Sequence, residues 1–263
     1  MTMNNNSYDT YLAIARNFER PIYVPGHRSI SISGFNPNID SNTAPEDVWP
    51  LGGIYKFITG SNVLLNIFSS SDDDNGNGSI SSEGAMTIYI DGVDRNYLHR
   101  SEIVTLDGTN VVSSIYAYFR INHVRVLISG NENTNIGDIT IQNSSTLDVL
   151  DIIPSRKGIS QKLIYTIPED TNGFLTYSIL SVQRSVTNES IVEIQLRESG
   201  ESWLSTVVIS VSSQGSQSEY KPPIPLVIPP RTDVRVQVSY TTANSTYVSG
   251  NMQLLLVNNN LLV

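Results

Sequence analysis

The chain of 263 residues contains no cysteine. Disulfides, thiolate metal ligands and cysteine nucleophiles are therefore excluded together. There are only three histidines, His27, His99 and His123, and none stands in an H-x-H or H-E-x-x-H pattern. That leaves little for an imidazole metal centre. No G-x-S-x-G elbow occurs, and no glycine-rich loop joins a strand to a helix, so serine hydrolysis and nucleotide binding have no motif to stand on. Apolar runs are short of the roughly 18 residues that a membrane helix needs, so no membrane partner is expected. Basic charge is sparse: 16 Lys and Arg face 25 Asp and Glu, for a net charge of −9. The first 150 positions carry −8 of it and the remainder −1. An acidic chain without a basic run repels phosphate backbones, so nucleic acid is not an expected ligand. The opening MTMNNNSYDT has neither a basic stretch nor an apolar one and is not expected to act as a signal peptide.

What the chain has in abundance is alternation. RSISISG (28–34), AMTIYID (85–91), SEIVTLDG (101–108), SIVEIQLRE (190–198), STVVISVSS (205–213) and DVRVQVSY (233–240) repeat with period two. This is the pattern of half-buried strands in antiparallel sheets. Asp-Gly at 91–92 and 107–108, Ser-Gly at 129–130 and Asn-Gly at 172–173 read as turns between them. YDTYLAIARNF (8–18) is either one short helix or part of an extended arm. The composition shifts near 145–158, where QNSSTLD closes one block and IIPSRKGISQ opens another. The expected fold is all-β: two antiparallel β-sandwich, jelly-roll-like domains at 46–147 and 148–263, behind an N-terminal arm at 1–45. KPPIPLVIPP (221–230) reads as an edge strand rather than a polyproline ligand, because proline is confined to strand edges and starts.

SDDDNGNGSISSEG (71–84) poses the sharpest chemical question. From Asp73 it matches the first half of an EF-hand loop, but the twelfth position is Gly84 and strands flank it on both sides. The expectation is a solvated turn and no metal, with a looser calcium site at Asp72, Asp73 and Asp74 as the weaker alternative. Acidic turns at Glu198/Glu201 and Asp91/Asp94 lack partner motifs for carboxylate catalysis, so no catalytic residue, no cofactor and no enzyme activity are expected. Trp49, in EDVWPLGG, is expected to pack. Trp203, Tyr177 and Tyr220 are the candidate exposed aromatics for binding a receptor or a sugar.

EDVWPLGG (46–53), GAMTIYIDGVDRNYLHRSEIVTLDGTNVV (84–112), FRINHVRVLISG (119–130) and NIGDITI (135–141) follow one another in an order that resembles a group of tailed-phage virion proteins. These are common in phages of cyanobacteria and other aquatic bacteria. The similarity continues through IPSRKGISQKLIYTIPEDTNGFLT and PLVIPPRTDVRVQVS, so that it spans roughly residues 46–257. The acidic loop at 69–82 departs from it. The resemblance implies a non-enzymatic structural component of the virion, assembled in the host cytoplasm. Its partners would be other virion proteins and further copies of itself. Capsid decoration or cement is the favoured role, and a receptor- or carbohydrate-binding tail module the alternative. The arm, through Tyr8, Tyr11, Ile14, Phe18, Ile30 and Ile32, is the expected contact element.

Overall fold

The computed structural model of the chain describes residues 26–77, 83–183, 187–213 and 217–261. Its strands, in chain order, are β1 (His27–Ile39), β2 (Glu46–Asp47), β3 (Leu65–Ser69), β4 (Ala85–Val93), β5 (His99–Thr105), β6 (Val112–Ser113), β7 (Arg120–Ser129), β8 (Ile139–Asn143) and β9 (Val149–Ile153). They continue with β10 (Ile164–Thr166), β11 (Thr171–Gln183), β12 (Glu189–Glu198), β13 (Leu204–Ser212), β14 (Gln217–Tyr220), β15 (Leu226–Ile228), β16 (Thr232–Thr241) and β17 (Thr246–Asn258). No α-helix occurs among the described residues. Every alternating segment of the sequence lies wholly or mostly in a strand, as the period-two rule requires.

The strands form four antiparallel sheets. Sheet I runs β1-β17-β11-β14, with β15 also on β11. Sheet II runs β10-β16-β12-β13, with β2 on β16. Sheet III is β6-β3-β8-β9 and sheet IV is β5-β4-β7. One apolar cluster takes Ile32, Leu180 and Met252 from sheet I and Val192, Val211 and Val236 from sheet II. A second takes Ile67, Ile141 and Leu150 from sheet III and Ile88, Val104 and Val124 from sheet IV.

Several sequence expectations change here. The segment expected to close the arm is an integral strand: β1 pairs with β17 from His27 to Ile39. Ile32 and Ile39 are buried in the first cluster, and Ile30 packs against it. Alternation marks a strand but not its partner, and this partner lies at the other end of the chain. Tyr8, Tyr11, Ile14 and Phe18, with the 8–18 segment, lie outside the described residues. The boundary expected at 147 falls before β9, whose Leu150 and Ile153 belong with sheets III and IV. Leu163 is the first residue after β9 in the other cluster.

Two expected turns are strand interior. Asp91-Gly92 sits inside β4, where a Cβ on Gly92 would lie 2.2 Å from the Arg120 carbonyl oxygen of β7. Glycine is there for close backbone approach at a register shift, not for a turn. Asn172-Gly173 likewise lies in β11. In KPPIPLVIPP, Leu226–Ile228 forms β15 at β11, with Ile228 buried.

Candidate functional site

The acidic loop is decided by Asp74. Its side chain is fully buried. One carboxylate oxygen accepts from the backbone N–H of Ala85 (2.7 Å) and Ile136 (2.9 Å). The other accepts from the Ser69 hydroxyl (2.6 Å) and the Gly137 N–H (2.9 Å). Four donors occupy the lone pairs that a cation would need. Asp72 caps the opposing turn at 107–110, accepting from the Thr109 hydroxyl (2.7 Å) and N–H (3.2 Å), and these bonds hold its pKa below the ordinary carboxylate value. Asp73 is exposed, and its carboxylate lies 3.4 Å from the Ser71 hydroxyl. Asp72 and Asp74 therefore tie down different neighbours rather than converging on one point. Among the described residues no group of three or more His, Cys, Asp or Glu side chains is placed to hold a metal ion.

The aromatics divide. Trp203 is half-buried and is no open platform. The Arg197 and Arg235 guanidinium carbons lie 4.4 and 4.1 Å from its ring centroid, and Phe57 packs against it at 5.4 Å. Tyr220 pairs with Ser178 and packs on the first cluster. Tyr177 lies on β11 beside the Glu219 carboxylate, and burial and that negative neighbour push its phenol pKa up. Trp49 is buried against Tyr55 and Ile164 and donates to the Gly52 carbonyl, as a packing residue should.

Trp203 belongs to a cation–aromatic ladder that no sequence motif announces. Arg120 lies 4.0 Å from the Phe119 ring centroid and 5.0 Å from that of Phe57. Arg197 lies 4.5 Å from Phe57 and then reaches Trp203, where Arg235 follows. Two carboxylates partner the three cations. Asp233 on β16 receives Arg120 of β7 in a two-bonded fork (2.9 and 3.1 Å), Arg197 (2.6 Å) and the Thr166 hydroxyl (2.6 Å). Asp47 faces Arg235 at 3.3 Å. Paired forks of this kind are the geometry in which a buried guanidinium is tolerated.

The same junction, between sheets III/IV and sheets I/II, is crossed by further polar contacts. Asn122 and Thr166 exchange two hydrogen bonds of 2.9 Å. Lys162, 1% exposed, reaches Ile121 O (2.9 Å), Leu150 O (3.1 Å) and the Asp151 carboxylate (2.9 Å). Burial opposes its charge, but Asp151 outweighs that and raises the ammonium pKa. On the flank, the Asp91 carboxylate of β4 receives Arg28 of β1 (3.1 Å) and faces His99 Nε2 (2.5 Å). The Asp91 bond raises the His99 pKa, although burial opposes the charge. Burial alone would raise the Asp91 pKa, but His99 and Arg28 hold it below the ordinary value. His123, opposite Asp91 on β7, is pushed down to about 4 by burial. Asp47, Asp74, Asp91, Asp151 and Asp233 thus all spend their charge on internal partners, as fixed structural groups do.

The outward surface is different. On sheet IV, Tyr89 lies between Ile103 and Arg125 in the cross-strand register, and Ile128 lies opposite Thr87 in the adjacent row. Ile103 and Ile128 are more than half exposed.

No family model matches the chain, and no curated protein does. Three solved structures align along most of its length. One is the infectious bursal disease virus Gt strain structure, with 12% identity, TM-score 0.26, and 95% of this chain and 78% of that one covered. Another is VP17, a capsid protein of bacteriophage P23-77, with 10% identity, TM-score 0.23, and coverage of 89% and 98%. The third is the PBSX exported protein XepA, with 8% identity, TM-score 0.20, and coverage of 86% and 84%. TM-scores this low do not establish a common fold.

Proposed function

We propose that the chain is a structural component of a virus particle, working through contacts with neighbouring virion proteins rather than through catalysis. Sheets I and II form one sandwich in this reading and sheets III and IV a second, held as one rigid block by the junction ladder. The role is decoration or cementing of the particle, assembled in the host cytoplasm. Each copy buries a modest area, and many copies sum it. The observation that carries this reading is a pair of exposed isoleucines on sheet IV, Ile103 on β5 and Ile128 on β7, which stand in adjacent rows on either side of β4. Aliphatic side chains exposed on both edge strands of one sheet have a use when another subunit covers them. The spending of buried carboxylates on structural pairs supports a building block over an enzyme. The order of motifs that resembles phage virion proteins points the same way.

Density-gradient fractionation of an infected-cell lysate, with peptide mass spectrometry of each fraction, tests this reading. The chain should peak with the particles at a constant ratio to the major capsid protein. Recovery only at the top of the gradient, in free form, overturns the reading.

A further inference from the structure

We infer that the outer face of sheet I carries a binding hollow for a pyranose sugar. The inference does not rest on the virion role. The register places Phe35 of β1 opposite Ser249 of β17, Ser249 opposite Ser181 of β11, and Ser181 opposite Gln217 of β14. One cross-strand row therefore reads aromatic, hydroxyl, hydroxyl, amide. With strands about 4.8 Å apart it spans roughly 14 Å. A hollow of about 240 Å³ lies over this row. Its size is below the ~300–1,000 Å³ of pockets for drug-sized ligands and suits something smaller.

The lining has two characters. The Phe35 and Tyr247 rings lie nearly parallel, 14° apart with centroids at 5.8 Å, and present an apolar wall. The rest of the lining is mostly neutral hydrogen-bonding groups: the serines of the floor, Gln217 at one side, and Gln161 from the segment that crosses under β1. Lys157 supplies the only formal charge among the lining residues, and no lining residue is a carboxylate. A pyranose matches both characters, with C–H bonds for the aromatic wall and hydroxyls for the serines and amides. A cationic ligand finds no counter-charge among the lining residues. Tyr177 lies on the same strand, two residues from the lining residue Ile179.

The test is saturation-transfer NMR on the full chain with four probes: methyl glucoside, methyl galactoside, N-acetylglucosamine and glucuronic acid. The expected result is transfer to the ring protons of at least one sugar. Affinity should be kept in Tyr247→Phe and fall about tenfold in Tyr247→Ala, which removes one of the two rings of the wall. Gln217→Trp fills the hollow from an exposed edge position, so loss of the signal there repeats the test where folding is not at stake. Absence of transfer from all four sugars overturns the inference. So does a signal unchanged in both Tyr247→Ala and Gln217→Trp, or a hollow that takes up peptides and not sugars. None of these outcomes bears on co-sedimentation with particles.

Discussion

Asp74 shows how a residue that looks like a ligand can be a fastener. Its four accepted bonds join Ser69, Ala85, Ile136 and Gly137, which come from three separate stretches of the chain. Asp74→Ala leaves several buried donors without partners, at about 1–3 kcal/mol each, so the urea midpoint should fall steeply. Millimolar calcium or chelator should leave the melting temperature of the native chain unmoved, because a ligand stabilises only the state that binds it. A calcium-dependent rise would restore the metal reading. The aspartate run was visible in the sequence. Its meaning was not, because three of its donors are backbone amides that become neighbours only after folding. The Asp91 cluster has its own signature. The raised His99 pKa contributes stability that is fully present below about pH 6.5 and lost as pH rises through the folded value. The Asp91 contribution is present above about pH 3.9 and lost as pH falls through its lowered value. His123 opposes His99 and runs in the same direction as Asp91, since its lowered pKa makes the unfolded chain bind more protons between about 4 and 6.5. His123 is common to wild type and His99→Gln, so the difference in melting temperature between these two isolates His99. That difference should be larger near pH 5.5 than near pH 9. An equal gap at both would mean that the His99–Asp91 contact carries no proton-linked stability.

At the scale of elements, alternation made the strands legible one by one, whereas their partners were not. RSISISG falls within the expected arm at 1–45, and serine at every second residue gives it one polar face. That polar face is real: Ser31 and Ser33 point outward and accept hydrogen bonds from Asn251. The opposite face carries Ile32, which is core. Gly34 faces inward too, paired with Gly250, and a Cβ there would sit 2.6 Å from the Leu163 backbone nitrogen. Deleting residues 1–40 should therefore abolish the unfolding transition, because it removes one of the two partners of β17 together with Ile32 and Ile39 of the first cluster. A circular dichroism melt of this truncation checks it, and a cooperative melt would show that β1 is dispensable. Asp-Gly at 91–92 misled for a related reason. The dipeptide suits both a turn and a close strand crossing, and only the approach of β7 selects the second.

For the whole molecule, the junction makes two apolar clusters into one body. Arg197 and Trp203 stand six residues apart at one turn, but Phe57, Arg120 and Arg235 lie far from them and from one another in the sequence. The ladder therefore could not be read from the sequence, although the all-β class could. With its buried charge committed inward, the chain has its outer sheet faces left for function, and the central claim is that one of them is a contact surface within a virus particle. Immunogold electron microscopy of purified particles, with antibody raised against the recombinant chain, tests it most directly. The account predicts gold on particles, intact or gently disrupted, at many sites over the head if the role is decoration. Absence of label on intact and disrupted particles alike, with the same antibody detecting free chain in the lysate, would contradict it.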